Sequence, residues 1–167
     1  GLGDVYKRQY LMRENNKAVK GMIILLLIIT LSSLAVTIAL LTAPKPEYTI
    51  VLGVDELNSG IKKEDALLID LRDEKDYEAG HIDGAINMPY VDDGVKMLDY
   101  LKKQAGKNYR IYLMCYHGNR SGMAFNLLRD EGYRNLNYVK FGYEDYVNAM
   151  GSKFKPIQGE CPCKNYG

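Results

Sequence analysis

The chain has 167 residues, enough for one ordinary domain and a short appendage. Hydrophobic residues make up 47% and charged residues 26%, a balance that supports a packed core and excludes wholesale disorder. Twenty-two Lys and Arg against 21 Asp and Glu leave no basic excess for general nucleic-acid binding, and three cysteines are too few for a disulfide scaffold or a four-thiolate zinc site.

Residues 1–20 form a basic segment, with Lys7, Arg8, Arg13, Lys17 and Lys20 against Asp4 and Glu14. No charged residue then stands between Lys20 and Lys45. Met22 to Leu41, as a helix rising about 1.5 Å per residue, covers about 30 Å, the thickness of a bilayer's hydrocarbon core. A buried core helix would carry a polar stripe, whereas this run has only Thr30, Ser32, Ser33 and Thr37. A cleaved signal peptide has a shorter apolar core, of about 7–15 residues, and here Pro44 would follow a cut at Thr42-Ala43 directly. An uncleaved transmembrane anchor over residues 21–43 is the expectation, stopped by Pro44 and Pro46. Basic flanks stay in the cytoplasm, so the N-terminus is expected inside and the domain beyond Pro46 outside. Met12 is a credible start that opens a short basic lead into the apolar run, and no function is assigned to residues 1–11.

Residues 44–47 read as a linker, and residues 48–150 alternate short apolar runs with helical patterns. Tyr48 to Leu52 suits a strand, and Val54 to Ser59 a short helix ended by Gly60 as a C-cap. Ala66 to Leu71 is a buried strand, and Glu74 to Ala79 a helix that stops at Gly80. Ala85 to Asn87 makes a brief strand before Pro89. Gly94 to Gln104 is helical with Val95, Leu98 and Leu101 on one face. Arg110 to Met114 is a second buried strand. Ser121 to Glu131 is a helix carrying Met123, Ala124, Leu127 and Leu128, stopped by Gly132. Leu136 to Val139 is a third apolar run and Tyr143 to Met150 a last helix, after which residues 151–167 read as a loose tail. Short strands between helices predict an α/β fold with a parallel sheet covered on both faces.

Cys115 stands directly after the strand Ile111-Tyr112-Leu113-Met114 and before the helix opening near Ser121. Open parallel sheets bind ligands at the carboxyl ends of their strands. The intervening loop, Cys115-Tyr116-His117-Gly118-Asn119-Arg120, contains a Gly and an Asn that take positive φ at low cost. Such a loop can turn several backbone N–H groups inward. With the helix N-terminus and Arg120, these donors make an anion cradle that favours a thiolate. A thiolate so held is both nucleophile and leaving group. A lone cysteine is often an inert buried thiol; the strand–loop–helix setting, the Gly and the trailing Arg120-Ser121 weigh against that reading, and position alone leaves the two about even.

Cys115-Tyr116-His117-Gly118-Asn119-Arg120-Ser121 resembles the active-site loop of rhodanese-type sulfurtransferases, Cys-x-x-Gly-x-Arg-Ser/Thr. A second segment agrees. Asp70-Leu71-Arg72, then Tyr77, then Gly80-His81-Ile82, Gly84-Ala85-Ile86-Asn87 and Pro89 are similar to the family's Asp-x-Arg … Tyr-x-x-Gly-His-Ile-x-Gly-Ala-x-Asn-x-Pro stretch. The resemblance covers about residues 48–150 and is nearest to the single-domain bacterial type. It implies a rhodanese-like α/β domain with a five-stranded, mainly parallel sheet flanked by helices on both faces. It implies a persulfide on Cys115, formed from a small sulfur donor such as thiosulfate or a persulfide and discharged to a thiol acceptor or cyanide. It implies further that the amides of Tyr116, His117, Gly118, Asn119, Arg120 and Ser121 stabilise the persulfide anion, that Arg120 holds the donor and that Ser121 helps fix the loop. No metal and no organic cofactor are implied. Related dual-specificity phosphatases use a loop one residue longer, which sets a phosphatase or arsenate-reductase reading aside.

Asp70 either hydrogen-bonds loop amides or pairs with Arg72, and both residues are read as supporting. His81 reads as a structural turn residue, and His117 as facing solvent. The family often has two consecutive glycines near the domain's end; Val139-Lys140-Phe141-Gly142-Tyr143 keeps the second. Cys161-Pro162-Cys163 in the tail allows a metal half-site, a disulfide or a resolving pair that passes sulfur or electrons to Cys115, with an incidental or disulfide-bonded tail as the plainer reading.

The expected function is sulfur transfer by a membrane-anchored, extracytoplasmic domain that binds no nucleic acid. The alternative is a non-catalytic rhodanese-like module that presents sulfur or a docking surface at the membrane. Topology is checked with paired C-terminal fusions. A reporter active only outside the cytoplasm is expected to work, and a cytoplasmic reporter to stay silent; the reverse pattern contradicts the orientation.

Overall fold

The apolar runs become neighbouring parallel strands; the inner ones are buried on both faces, while the run at Tyr48 forms a largely exposed edge. The computed structural model describes residues 2–43 and 45–163. Pro44 of the expected linker and residues 164–167 of the expected tail lie outside the described residues. Two compact units are present, residues 1–44 and residues 45–167.

The first unit is one helix, α1 (Leu2–Thr42). It is longer than the apolar run, because the basic segment continues the same helix. None of its apolar window is buried against protein, and by length and composition it is able to cross a membrane. Its hydroxyls are satisfied internally: Thr30 Oγ1 donates to the Leu27 carbonyl at 2.9 Å and Thr37 Oγ1 to the Ser33 carbonyl at 2.9 Å.

The second unit runs β1 (Glu47–Val51), α2 (Val54–Gly60), β2 (Ala66–Asp70), α3 (Glu74–Ala79), β3 (Ile86–Asn87), α4 (Val95–Gln104), β4 (Arg110–Met114), α5 (Asn119–Asp130), β5 (Asn135–Val139) and α6 (Tyr143–Met150). The five strands form one sheet in the order β1-β5-β4-β2-β3. All four pairings are parallel, so the sheet goes beyond the mainly parallel expectation. Residues on each strand alternate between two cores. Leu68, Tyr112 and Met114 pack with Leu57 of α2, Tyr77 of α3 and Tyr146 of α6. Ile69, Ile111 and Leu113 pack on the other face with Met97 and Leu101 of α4 and Ala124 and Leu128 of α5.

Three expectations are corrected. The inner face of α4 is Met97 and Leu101, four residues apart, while Val95 is 55% exposed because it sits about 200° round the helix from Met97. On α5, Ser121, Ala124 and Leu128 face inward and Met123 is exposed. Gly60 is the last residue of α2 rather than a left-handed cap; a Cβ there would stand 2.1 Å from the Tyr112 hydroxyl, so the position demands the smallest residue. Gly132 behaves as expected. It takes φ +84, and the Gly132 N–H to Arg129 carbonyl and Tyr133 N–H to Leu128 carbonyl bonds, both 3.0 Å, close α5.

The segment after α6 is not loose. A 3₁₀ turn at Gly151–Lys153 leads to Phe154, whose ring meets Tyr146 edge-on at 5.1 Å. His81 and Ile157 exchange backbone hydrogen bonds at 2.9 and 3.0 Å, and Gly159 N–H donates to the Glu78 carbonyl at 2.9 Å. This strap has no helical or strand period, so periodicity does not reveal it.

Candidate active site

β4 is the central strand, and Cys115 is the residue that leaves its carboxyl end. Cys115 packs with the α4/α5 core and is 1% exposed. The Gly118 N–H donates to Cys115 Sγ at 3.2 Å. Gly118 makes this possible by taking φ +87, and a Cβ there would lie 2.7 Å from the Lys140 carbonyl oxygen. Gly118 also caps α5, and the Gly122 N–H bonds its carbonyl at 2.9 Å. The preceding amides, on Asn119, Arg120 and Ser121, belong to a first helical turn, which has no intrahelical acceptors for them. They add the positive end of the helix dipole to the loop.

The loop is anchored by the chain that follows β5. Tyr143 N–H donates to the Cys115 carbonyl at 3.1 Å. A Cβ on Gly142 would fall 1.5 Å from the Tyr116 carbonyl oxygen. The backbone of the loop therefore rests directly on the backbone of Gly142, which accounts for the retention of the second glycine where Phe141 replaces the first.

Arg120 is held from the β2 side. Its Nη1 donates to Asp73 Oδ1 at 2.9 Å and to the Leu71 carbonyl at 3.3 Å, and its guanidinium carbon lies 5.2 Å from the Tyr116 ring centroid. Burial disfavours the Arg120 charge and is the largest single influence, but the hydrogen bond to Asp73 and the charge interactions with Asp73, Tyr116 and Cys115 together push the group upward. The same bond holds the Asp73 carboxyl below its ordinary value. Asp73 thus favours the folded state above the usual carboxylate range, and this contribution is lost only as acid protonates it. Tyr116 accepts from the Asp73 N–H at 3.1 Å and donates to the Asp76 carboxylate. Burial and then the bond to Asp76 push its phenol up to about 12, so it remains a donor at neutral pH.

Asp70 and Arg72, both buried, pair with each other rather than with the loop: Arg72 Nη2 donates to Asp70 Oδ2 at 2.7 Å and to the Gly80 carbonyl at 2.8 Å. The Arg72 guanidinium stacks 3.6 Å over the Tyr143 ring, which ties β2 to α6 beneath the loop's anchor. His81 is buried, with Nδ1 at 2.9 Å from the Tyr77 carbonyl and its ring stacked on Tyr77, an arrangement that fastens the strap. His117 and Asn119 are exposed. Ser121 is fully buried, yet its hydroxyl has no hydrogen-bond partner among the described residues, so it does not fix the loop through such a bond. A cleft of about 420 Å³ meets the loop at Tyr116 and is lined also by Asp76, Tyr143, Glu144 and Phe154. Among the described residues, no three His, Cys, Asp or Glu side chains gather as a metal site would need.

A family model described as a rhodanese-like domain matches residues 53–149. The chain belongs to the rhodanese-like family. Its rhodanese-like domain is similar to a thiosulfate sulfurtransferase GlpE of Pseudomonas fluorescens, 31% identical over 84 residues that span 50% of this chain and 72% of that protein. It is also 32% identical over 109 residues to a tRNA uridine(34) hydroxylase of Hamiltonella defensa, spanning 64% of this chain but 30% of that longer enzyme. Among solved structures, the Alr3790 protein of Anabaena superposes with a TM-score of 0.54 at 25% identity, covering 64% of this chain and 79% of that one. A rhodanese-like domain protein of Staphylococcus aureus shares the fold at a TM-score of 0.52 and 21% identity, covering 67% and 99%.

Sequence reasoning overlooked Asp73 and Asp76, which occupy Arg120 and Tyr116. The available signal was the acidic start of α3 immediately after Asp70-Leu71-Arg72. Gly142→Ala is expected to lower stability by about 1–3 kcal/mol, the range for forcing extra volume into a packed site, because the Tyr116 backbone must move. Chemical denaturation of wild type and variant measures the difference; an unchanged midpoint contradicts the contact.

Proposed function

We propose that the domain transfers sulfane sulfur through a persulfide on Cys115. The supporting observation is the Gly118 N–H aimed at Cys115 Sγ at the carboxyl end of the central strand. In the first step, the Cys115 thiolate attacks the outer sulfur of thiosulfate. A new S–S bond forms, the old one breaks, and sulfite leaves with the bonding pair. The charge then sits on the outer persulfide sulfur. In the second step, an acceptor thiolate attacks that sulfur and the Cys115 thiolate departs, so the enzyme is restored without net oxidation. The loop donors act on the sulfur anion in each state.

Arg120 is the cation a dianionic donor would seek, but Asp73 already occupies it. Thiosulfate must compete with this carboxylate, while a donor carrying sulfur on a neutral thiol need not. Similarity to a thiosulfate sulfurtransferase supports the chemistry, and similarity to tRNA uridine(34) hydroxylases bears on a domain shared with longer proteins. The long apolar helix supports a membrane anchor, with the basic flank inside and the domain outside.

Full-length protein in detergent is expected to transfer sulfur from thiosulfate to cyanide or a thiol, and Cys115→Ala to fall to background. Equal turnover by both proteins contradicts the proposal and leaves the non-catalytic module. Asp73→Asn is expected to lower the KM for thiosulfate about 2–5-fold with kcat little changed, the scale of a partly exposed ion pair. A raised KM would mean that Asp73 assists donor binding instead.

A further inference from the structure

Cys161 and Cys163 form a disulfide within the strap. Only Pro162 separates them, so the bond ties the strap to itself and closes too short a loop to constrain the unfolded chain as a long-range crosslink does. Its surroundings suit reaction better than stapling. The Asn87 N–H donates to Cys161 Sγ at 3.2 Å and the Cys163 N–H approaches the same sulfur at 3.3 Å. Asn87 is rigid: it pairs with Asp70 in the β2–β3 ladder, and its side-chain amide donates to the Asp70 and Arg72 carbonyls at 3.1 and 2.9 Å. Cys161 is buried, whereas Cys163 is partly exposed, and its sulfur lies 3.4 Å from the Asn87 carbonyl oxygen. Both cysteines line a cavity of about 220 Å³ that Lys96 and Glu74 also border.

We propose that Cys161–Cys163 is a second reactive site, a thiol–disulfide exchange centre that oxidises substrate thiols. A substrate thiolate entering the cavity attacks the more accessible sulfur, on Cys163. The substrate–Cys163 disulfide forms, the Cys161–Cys163 bond breaks, and the bonding pair leaves with Cys161 as a thiolate. The two N–H groups already aimed at Cys161 receive that charge, and bonds to an ionised acceptor are the stronger kind. Lys96 supplies the cavity's positive charge, opposed by the carboxylate of Glu74 on the same lining. A second substrate thiolate then attacks the substrate sulfur of the mixed disulfide, releasing an oxidised substrate disulfide and the Cys163 thiolate. Cys161 and Cys163 each take up a proton, and Cys163 S–H is then placed to donate to the Asn87 carbonyl. Two substrate thiols are oxidised and the protein pair is reduced by two electrons. Exchange in reverse with a disulfide-bearing molecule restores it. Donors that favour the reduced pair make the disulfide a better oxidant.

The test uses the full chain in detergent with Cys115→Ser, so that only the tail thiols report. Native protein is exposed to millimolar reduced glutathione, quenched with acid, alkylated and weighed. The pair is expected to open without denaturant, and Lys96→Gln to open several-fold more slowly. In Cys161→Ser the remaining Cys163 is expected to capture oxidised glutathione at least tenfold faster than Cys161 does in Cys163→Ser. A pair that opens only after denaturation, equal capture by either cysteine, or failure of the reduced pair to close in oxidised glutathione overturns the proposal. None of these readouts depends on sulfur transfer at Cys115.

Discussion

The position of the Cys115 loop depends on a backbone-to-backbone contact in which the Tyr116 carbonyl fills the space a side chain on residue 142 would need. The Tyr143 N–H bond to the Cys115 carbonyl completes this support. Together they set the turn after β4, and Gly118 then bends so that its amide meets the thiol. Two glycines, one needed for lack of volume and the other also for its positive φ, thus bring a backbone amide against the Cys115 thiol at the end of a buried strand.

The support extends through the core. Arg72 pairs with Asp70 on β2, caps the Gly80 carbonyl and stacks on Tyr143, so one buried ion pair joins the sheet, the end of α3 and the start of α6. Removing one partner of such a pair strands a buried charge, which costs about 3–5 kcal/mol. The strap adds a further layer by seating Phe154 on Tyr146 and bridging to His81. A segment with no regular secondary structure therefore forms one wall of the cleft beside the loop.

Much of the architecture was legible because its cause is local. Runs such as Ile111 to Met114 are apolar without alternation, the mark of strands buried on both faces. Gly132 stops α5 by its own conformational freedom. The cysteine loop carries its spacing in seven consecutive residues. What was not legible depends on partners distant in sequence. Nothing near Gly60 announces the Tyr112 hydroxyl beside it, and nothing near Met123 tells that Ser121 takes the inner face. Arg120 looks like a free anion receptor until Asp73, 47 residues away, is brought beside it. The strap follows no period and reaches its place through single backbone bonds.

The most direct test of the site is the mass of Cys115 itself. Full-length protein incubated with thiosulfate, freed of small molecules and digested without reductant should yield a peptide containing Cys115 with one additional sulfur atom, which an acceptor thiol then removes. A Cys115 peptide that stays unmodified after thiosulfate and after a low-molecular-weight persulfide would contradict the account.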